Sequence, residues 1–448
     1  MRKKEVVVIG GGISGLSCAF FLKKRGIDFL LLEKSERVGG VMHSLEEEGY
    51  LLEEGPTTFM GMTPLIQEMI ETLHLESRII TPAESSKKRY IYKHGKLHLV
   101  PLNPLHLFSS SLLSWRGKLR LFQEPLISPR KEGEEETIAQ FFKRRIGQEA
   151  IDSLVDPFVS GVYGSDMREL SAQATFPRLV EWEIKFGSLF QGFLKNKEKK
   201  DRTLYSFKKG LGELALAVEA WVGGSILKKS QVTHIEKNEK GHFVLSIFRD
   251  GKTEVFETKS FICATPAYIT AQMLQALDPK LATALLEIPY ASLNVYHLGY
   301  HKKEVGGGCE GFGFLIPRSQ KKKTLGVLWT SSFFQNRAPK DHLLLTVMTQ
   351  GEASLEDVLE EIRDILAVKG KPSFIRSKKY LKALPQYTLG HFKRVERIES
   401  LAQKHPGLFI TGNFLKGVST LECIEHGFGT VVNYVHSSSH GEIHQKAI

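Results

Sequence analysis

The sequence predicts a chain of mixed class, α/β and α+β, in which a doubly wound parallel-sheet domain is interleaved with a mixed-sheet domain and an inserted helical one. Three observations predict it. The chain opens on a buried strand, a glycine-rich turn, a helix, a second strand and an acid. It closes on another apolar strand, a Gly-Asn turn and a long helix. Between these ends lies a basic stretch with apolar residues at helical spacing, followed by β-branched runs. Pieces of one domain at both ends, with other structure between them, imply interleaved domains rather than beads on a string.

The opening segment justifies the first element. Val6-Val7-Val8-Ile9 is wholly apolar and β-branched, as a strand buried on both faces of a parallel sheet must be. Gly10-Gly11-Gly12-Ile13-Ser14-Gly15 follows and fits GxGxxG. Ile13, Leu16, Ala19, Phe20 and Leu22 then mark one face of a helix ending near Gly26. Phe29-Leu30-Leu31-Leu32 is a second buried strand, closed by Glu33 and Lys34. Glycines let the backbone approach a pyrophosphate, the helix N-terminus supplies N–H donors, and the carboxylate accepts ribose hydroxyls. The unit is Rossmann-like. A second match, Gly306 to Gly311, follows a polar run and has no acid from 311 to 340, so it reads as a loop before the strand-like Phe312 to Pro317.

Arg37-Val38-Gly39-Gly40 adds an arginine and a glycine pair where a longer dinucleotide would need them, which resembles the extended fingerprint of FAD-binding oxidoreductases. At the far end Leu408-Phe409-Ile410 runs into Thr411-Gly412-Asn413, with Gly417 and Val418 before a helix from about Thr420 to Val435. In such flavoproteins a returning strand and helix hold the ribityl chain. No second credible dinucleotide site is present, so FAD is the expected cofactor, without a separate NAD(P)H domain.

Composition narrows the class. The 448 residues are 42% hydrophobic and 25% charged, a globular balance that can bury a core without disulfide or metal. Four scattered cysteines without a CxxC pair exclude a disulfide framework, disfavour a cysteine zinc site, and suit a reducing compartment. The net charge of +11 suits an anionic partner without choosing one. No signal peptide precedes Val6, and no apolar run approaches the roughly 18 residues of a spanning helix. A protein in solution or lying on a membrane is expected. From Lys87 to Lys131 there are ten Lys/Arg against the single acid Glu124, interleaved with Leu105, Leu107, Phe108, Leu112, Leu113, Trp115, Leu119, Leu121 and Phe122. Such a stretch fits either an anionic membrane interface or a plain helical domain with a solvated charged face. No recognition module accompanies it, so nucleic acid is the poorer account. Asn196 to Arg202 reads as a polar linker, and Val232 to Ile235, Phe243 to Ile247 and Phe261 to Thr265 read as strands.

Together these pieces resemble the protoporphyrinogen/coproporphyrinogen oxidase family of heme biosynthesis, among the amine-oxidase-like flavoproteins. The most specific segments are Leu384 to His391 (LPQYTLGH), Gly412 to Gly427, Glu54-Gly55-Pro56, Asp156 to Gly164 (DPFVSGVYG) and Ser331 to Pro339 (SSFFQNRAP). The resemblance implies a six-electron oxidation of a porphyrinogen, protoporphyrinogen IX first and coproporphyrinogen III as the alternative, with O2 as acceptor. A flavin amine oxidase, a desaturase and a flavoprotein without turnover are the more distant alternatives. It implies that the cofactor also meets Gly55, Pro56, Val232 and Thr265. It implies substrate contacts at Arg89, Gly161, Leu315, Leu328 and Met348, with Thr57 standing where relatives carry Asn or Arg. It makes the inserted helical domain a membrane-docking one. A cytoplasmic protein, peripheral on the inner face of the membrane, is expected, with ferrochelatase or a second copy as candidate partners. The expected division is 1–62, 201–275 and 400–448 for FAD, 63–85 and 276–399 for substrate, and 86–200 for the helical domain. No metal site and no catalytic triad is expected. His98 and His391 are the only histidines proposed as bases, and both read more readily as structural.

Overall fold

The computed structural model describes residues 2–101, 110–130, 133–196, 201–306 and 309–445. Leu105, Leu107, Phe108, Lys131, Gly307, Gly308 and most of the expected linker at 196–202 lie outside the described residues.

The strand Arg2–Ile9 forms the middle of a seven-stranded sheet. Phe29–Leu32 and then Ile226–Leu227 lie parallel on one side. On the other, Lys252–Cys263 lies parallel and continues into antiparallel Phe243–Arg249 and Gln231–Lys237; Leu408–Ile410 pairs parallel with the end of Lys252–Cys263. The VVVI run is apolar at every position because each face has its own core. Val6 and Val8 join Leu16, Phe20 and Val218, whereas Val7 and Ile9 join Phe261, Leu281 and Ile398. The helix Ile13–Lys24 was expected to bury one face, yet Ser14 through Leu22 are all buried. The second face is taken by the helix Thr420–Gln445, where Ser17 Oγ donates to Ile424 O at 2.9 Å and Gly427 lies against Ser14 and Ser17.

A second seven-stranded sheet has the order Phe374–Pro385, Tyr290–His301, His342–Thr349, Thr324–Leu328, Gly313–Leu315, Arg89–Lys93, Lys96–Leu99. Its last two strands come from residues 89–99, which the sequence had grouped with the helical segment 86–200. The alternation in RYIYK explains this: Tyr90 and Tyr92 pack into the core of this sheet, and Arg89 and Lys93 point to the other face. That core is completed by Phe314, Val327, Val347 and the helix Leu355–Leu366. The helices Pro279–Leu286 and His391–Ala402 pack instead on the first sheet.

The helical segment has a small core of Ile138, Phe141, Ile151, Val159 and Val180. It is tied by buried ion pairs: Arg145, fully buried, meets Glu124, and Arg144 bridges Glu136 (2.6 Å) and Glu183. A π-helical turn, Ile151–Val155, leads into the helix Asp156–Tyr163. Pro157 lacks an N–H, so it leaves a carbonyl one turn earlier without its α-helical donor, and a widened turn accommodates that.

Candidate functional site

The nucleotide cleft lies at the carboxyl ends of the parallel strands, where a doubly wound sheet leaves its crevice. The ends of the first two strands are tied by Gly10 N–H to Leu32 O (2.8 Å), and Ala264 N–H bonds Ile9 O (2.8 Å). The fingerprint glycines have separate reasons. Gly10 has φ +105°, and a Cβ there would stand 2.9 Å from Ala264 O and from Thr265 Cγ2. A Cβ on Gly15 would overlap Gly10 O. Above Gly12 there is open space, and Gly39 closes the turn by donating to Gly11 O at 2.7 Å. The first N–H groups of the helix, at Ile13, Ser14 and Gly15, have no acceptor within it and face that space.

Glu33 is buried and fixed. Oε2 accepts from Gly11 N–H (2.7 Å) and Oε1 from Ser35 N–H (2.8 Å). An ionised carboxylate offers about four lone-pair sites, so acceptor capacity remains for a diol. Its backbone bonds Leu227 O and Ser230 N–H, which brings the chain leading to Val232 alongside. Lys34 is exposed. Arg37 donates to Gly40 O at 2.9 Å and lies 3.5 Å from Glu54. Glu54 is buried beneath Arg37, His43, Arg376 and Lys378; burial opposes its charge, but the hydrogen bond from His43 and the nearby charges of Lys378 and Arg37 hold its carboxyl below the usual range. Gly55 presses on Val41 O, with Pro56 and Thr57 half-buried beyond it. From the C-terminal return, Thr411 N–H bonds Cys263 O at 2.9 Å, Gly412 lies against Thr265 O, and Asn413, Gly417 and Val418 follow along the chain. The open space at Gly12, the fixed acceptor and the helix N-terminus fit a dinucleotide.

The second group forms on the face of the second sheet opposite its core. Register places Arg89, Gly313, Leu328, Thr346, His297 and Arg376 side by side across six strands. The next row on that face holds Ile91, Leu315, Gly326, Met348, Val295 and Lys378. Leu315, Leu328 and Met348 are half-buried there. The helix Asp156–Tyr163 covers this face, with Gly161 so close to Leu315 that a Cβ would overlap its Cδ2. Asp156 accepts from Arg318 N–H at 2.7 Å, Gln350 Nε2 donates to Gly164 O at 2.7 Å, and Lys93 Nζ donates to Ser153 Oγ at 2.8 Å. The helix is thus fastened along its whole length.

The cations here are unequal. Lys88 pairs with Glu310 (3.1 Å), and Arg318 lies between Asp156 and Asp166. Among the described residues Arg89 has no carboxylate within ion-pair distance; its guanidinium lies 5.0 Å over the Phe312 ring.

Neither proposed histidine base meets this face as a free base. His98 has both ring nitrogens engaged, with Ser111 Oγ (2.9 Å) and Lys93 O (3.0 Å). His391 is buried against Leu415 O (3.1 Å), and burial pushes its pKa down to about 4. The sequence reading missed His297, which burial also pushes down to about 4 and which bonds Thr346 Oγ1 at 3.2 Å. It also missed the role of Arg337, a buried cation that joins Glu53 (3.3 Å) to Phe207 O (3.2 Å). The SSFFQNRAP segment marked Arg337, but only packing shows that it bridges the two sheets' regions. No group of metal-ligating side chains occurs among the described residues.

A family profile described as flavin containing amine oxidoreductase matches residues 13–432. Protoporphyrinogen oxidase 1 of Spinacia oleracea is 30% identical, over 96% of this chain and 84% of that one. Coproporphyrinogen III oxidase of Bacillus subtilis is 28% identical, over 96% of this chain and 97% of that one. A solved structure from Exiguobacterium sp. 255-15 superposes with a TM-score of 0.83 at 22% identity, over 96% of this chain and 98% of that one, which shows the shared fold.

Proposed function

As a member of the flavin-containing amine oxidoreductases, in the family of protoporphyrinogen and coproporphyrinogen III oxidases, the chain is an FAD-dependent oxidoreductase, and we propose that it converts protoporphyrinogen IX to protoporphyrin IX with O2 as acceptor. The observation that carries the reading is the second-sheet face: aliphatic Leu315, Leu328 and Met348 beside Arg89, a cation with no carboxylate partner among the described residues. A flat tetrapyrrole needs apolar walls, and its propionate needs a cation at the rim. An amine substrate would call for an aromatic cage at these positions. Bound FAD supplies the hydride acceptor. In the chain, Gly10 to Gly15 and Glu33 would hold its adenosine diphosphate end, with Arg37, Gly39, Gly40, Gly55, Pro56, Val232, Thr265, Gly412, Asn413, Gly417 and Val418 along its length. Leu315, Leu328, Met348 and Gly161 would orient the macrocycle, and Arg89 would bind a propionate.

The coproporphyrinogen III reading is kept by the Bacillus subtilis and Staphylococcus aureus relatives. With four propionates that substrate would call for more cations, and on this face Arg376 and Lys378 are paired with Glu47 and Glu54 while Lys93 is held by Leu112 O and Ser153 Oγ.

The test is an aerobic fluorescence assay of FAD-loaded protein given protoporphyrinogen IX. Porphyrin should appear at an enzyme-dependent rate, and Arg89→Ala should raise KM more than it lowers kcat, as loss of uniform binding does. Silence from FAD-loaded protein would refute the reading.

The same reading places the protein on the inner face of the cytoplasmic membrane. Trp115, Leu119 and Phe122 share one face of the helix Trp115–Phe122 and are exposed, as are Leu126, Ile184, Phe193 and Leu194 nearby in the helical segment. Arg116, Lys118, Lys185 and Lys195 flank them, the pattern of an interfacial helix on anionic lipid. No helix among the described residues is long and apolar enough to cross a membrane. Cosedimentation with vesicles containing anionic lipid, lost in a Trp115→Ser/Phe122→Ser double variant, would support docking; equal binding by both proteins would refute it.

A further inference from the structure

The turn from Gln386 to His391 is bonded to three parts of the molecule at once. Toward the helical segment, Gln386 Nε2 donates to Tyr163 O (3.0 Å), at the end of the helix that covers Leu315. Tyr387 O accepts from Ser171 N–H (2.7 Å), and Glu135 accepts from both Gly390 N–H (2.8 Å) and Ser171 Oγ (2.7 Å). Toward the substrate sheet, Gln386 N–H bonds Pro289 O (2.8 Å). Toward the nucleotide cleft, the Tyr387 hydroxyl donates to Asn413 O, and His391 Nε2 bonds Leu415 O at 3.1 Å. The two rings stack at 4.2 Å and 23°. Both side chains are buried, Tyr387 to 5% exposure and His391 to 1%.

Two backbone carbonyls of one short segment are therefore held from the same side by one stacked pair. In that segment, Gly412 to Gly417, the Phe414 side chain is buried in the core of the first sheet, but the backbone is less constrained: Gly412 and Gly417 both have positive φ, and Leu415 N–H bonds Gly412 O at 3.3 Å. We infer that Tyr387 and His391 are positioning residues, a stacked clamp that sets the Gly412–Gly417 segment against the flavin and ties its position to the helix covering the second-sheet face. The inference rests on the proposal that this segment meets FAD. His391 serves as a neutral hydrogen-bond donor through Nε2, consistent with its burial, and takes no part in proton transfer. Glu135 and Gln386 carry the tie to the helical segment, so the walls of the two sites move as one body.

The test measures FAD dissociation from the full-length holoenzyme, followed by the rise of flavin fluorescence, with the visible circular dichroism of the bound flavin beside it. Tyr387→Phe keeps the stacking and removes only the hydroxyl, so the variant folds; FAD release should be faster by about five- to tenfold and the visible dichroism should change. His391→Leu should release FAD faster still, and His391→Gln, which restores a donor toward Leu415 O, should recover part of the loss. A purely structural role would lower the melting temperature of the FAD-free protein and leave both flavin readouts at wild-type values; that result would overturn the clamp. Gly412→Ala separates the premise from the inference. Loss of FAD there with wild-type flavin behaviour in Tyr387→Phe refutes the clamp alone. Wild-type FAD binding in Gly412→Ala refutes the contact between segment and flavin, and the clamp with it.

Discussion

In the nucleotide cleft the fingerprint lies within residues 10 to 40, and it is largely backbone: glycine turns, helix N–H groups and one carboxylate held by two amides. On the second-sheet face the neighbours Arg89, Leu328, Thr346 and His297 come from four separate strands and meet only through register. A backbone site is fixed by local sterics, so its motif can be read from spacing. A register site exists only once the strands have paired, and a slip of one residue would turn every side chain to the core.

That difference orders the expected effects. The largest belongs to Gly15, where a Cβ would overlap Gly10 O. Gly15→Ala should cost about 3 kcal/mol of stability through overpacking between two backbones, measured by denaturant unfolding of the FAD-free protein; a loss under about 1 kcal/mol would mean the turn can yield. Glu33→Ala comes next. It removes the acceptor for Gly11 and Ser35 N–H as well as the proposed ribose contact, and should weaken FAD binding about thirtyfold, by the worth of a charge-assisted hydrogen bond. Protein that retains flavin fully through purification would contradict the assignment.

On the register face the changes should be gentler. Gly161→Ala forces Leu315 aside and should lower kcat/KM for porphyrinogen about tenfold with little change in FAD content, because a side chain can shift where a backbone cannot. Equal losses of FAD and activity would show that the two sites are not separable in this way. The smallest effect is in pH. His297 and His391 have pKa values pushed down to about 4 by burial. Below about pH 6.5 the unfolded chain binds protons that the folded chain refuses, so stability falls as pH drops from there toward 4. Between pH 7.5 and 5.5 each histidine should remove about 1.3 kcal/mol. His297→Gln should flatten the slope by that share, and an unchanged slope would mean that His297 is protonated in the fold.

The same contrast explains what the sequence disclosed. The strand, glycines, helix and Glu33 were legible because each follows from a local rule, and the paired strand ends confirm their order. The strands at 89–99 were hidden under a count of basic charge, although the period-two pattern of Arg89 to Lys93 was there to be read. Arg145 and Arg337 look like surface cations in sequence; only packing shows them buried against Glu124 and Glu53. The π-helical turn before Pro157 and the stacked Tyr387–His391 pair likewise depend on partners far along the chain.

The most direct test of the account is the ratio of kcat/KM for protoporphyrinogen IX to that for coproporphyrinogen III, measured on the FAD-loaded protein in air. Aliphatic walls beside Arg89, which has no carboxylate partner among the described residues, predict a ratio well above one. A ratio below one would show that this face recruits cations the structure leaves paired, and would make the protein a coproporphyrinogen III oxidase.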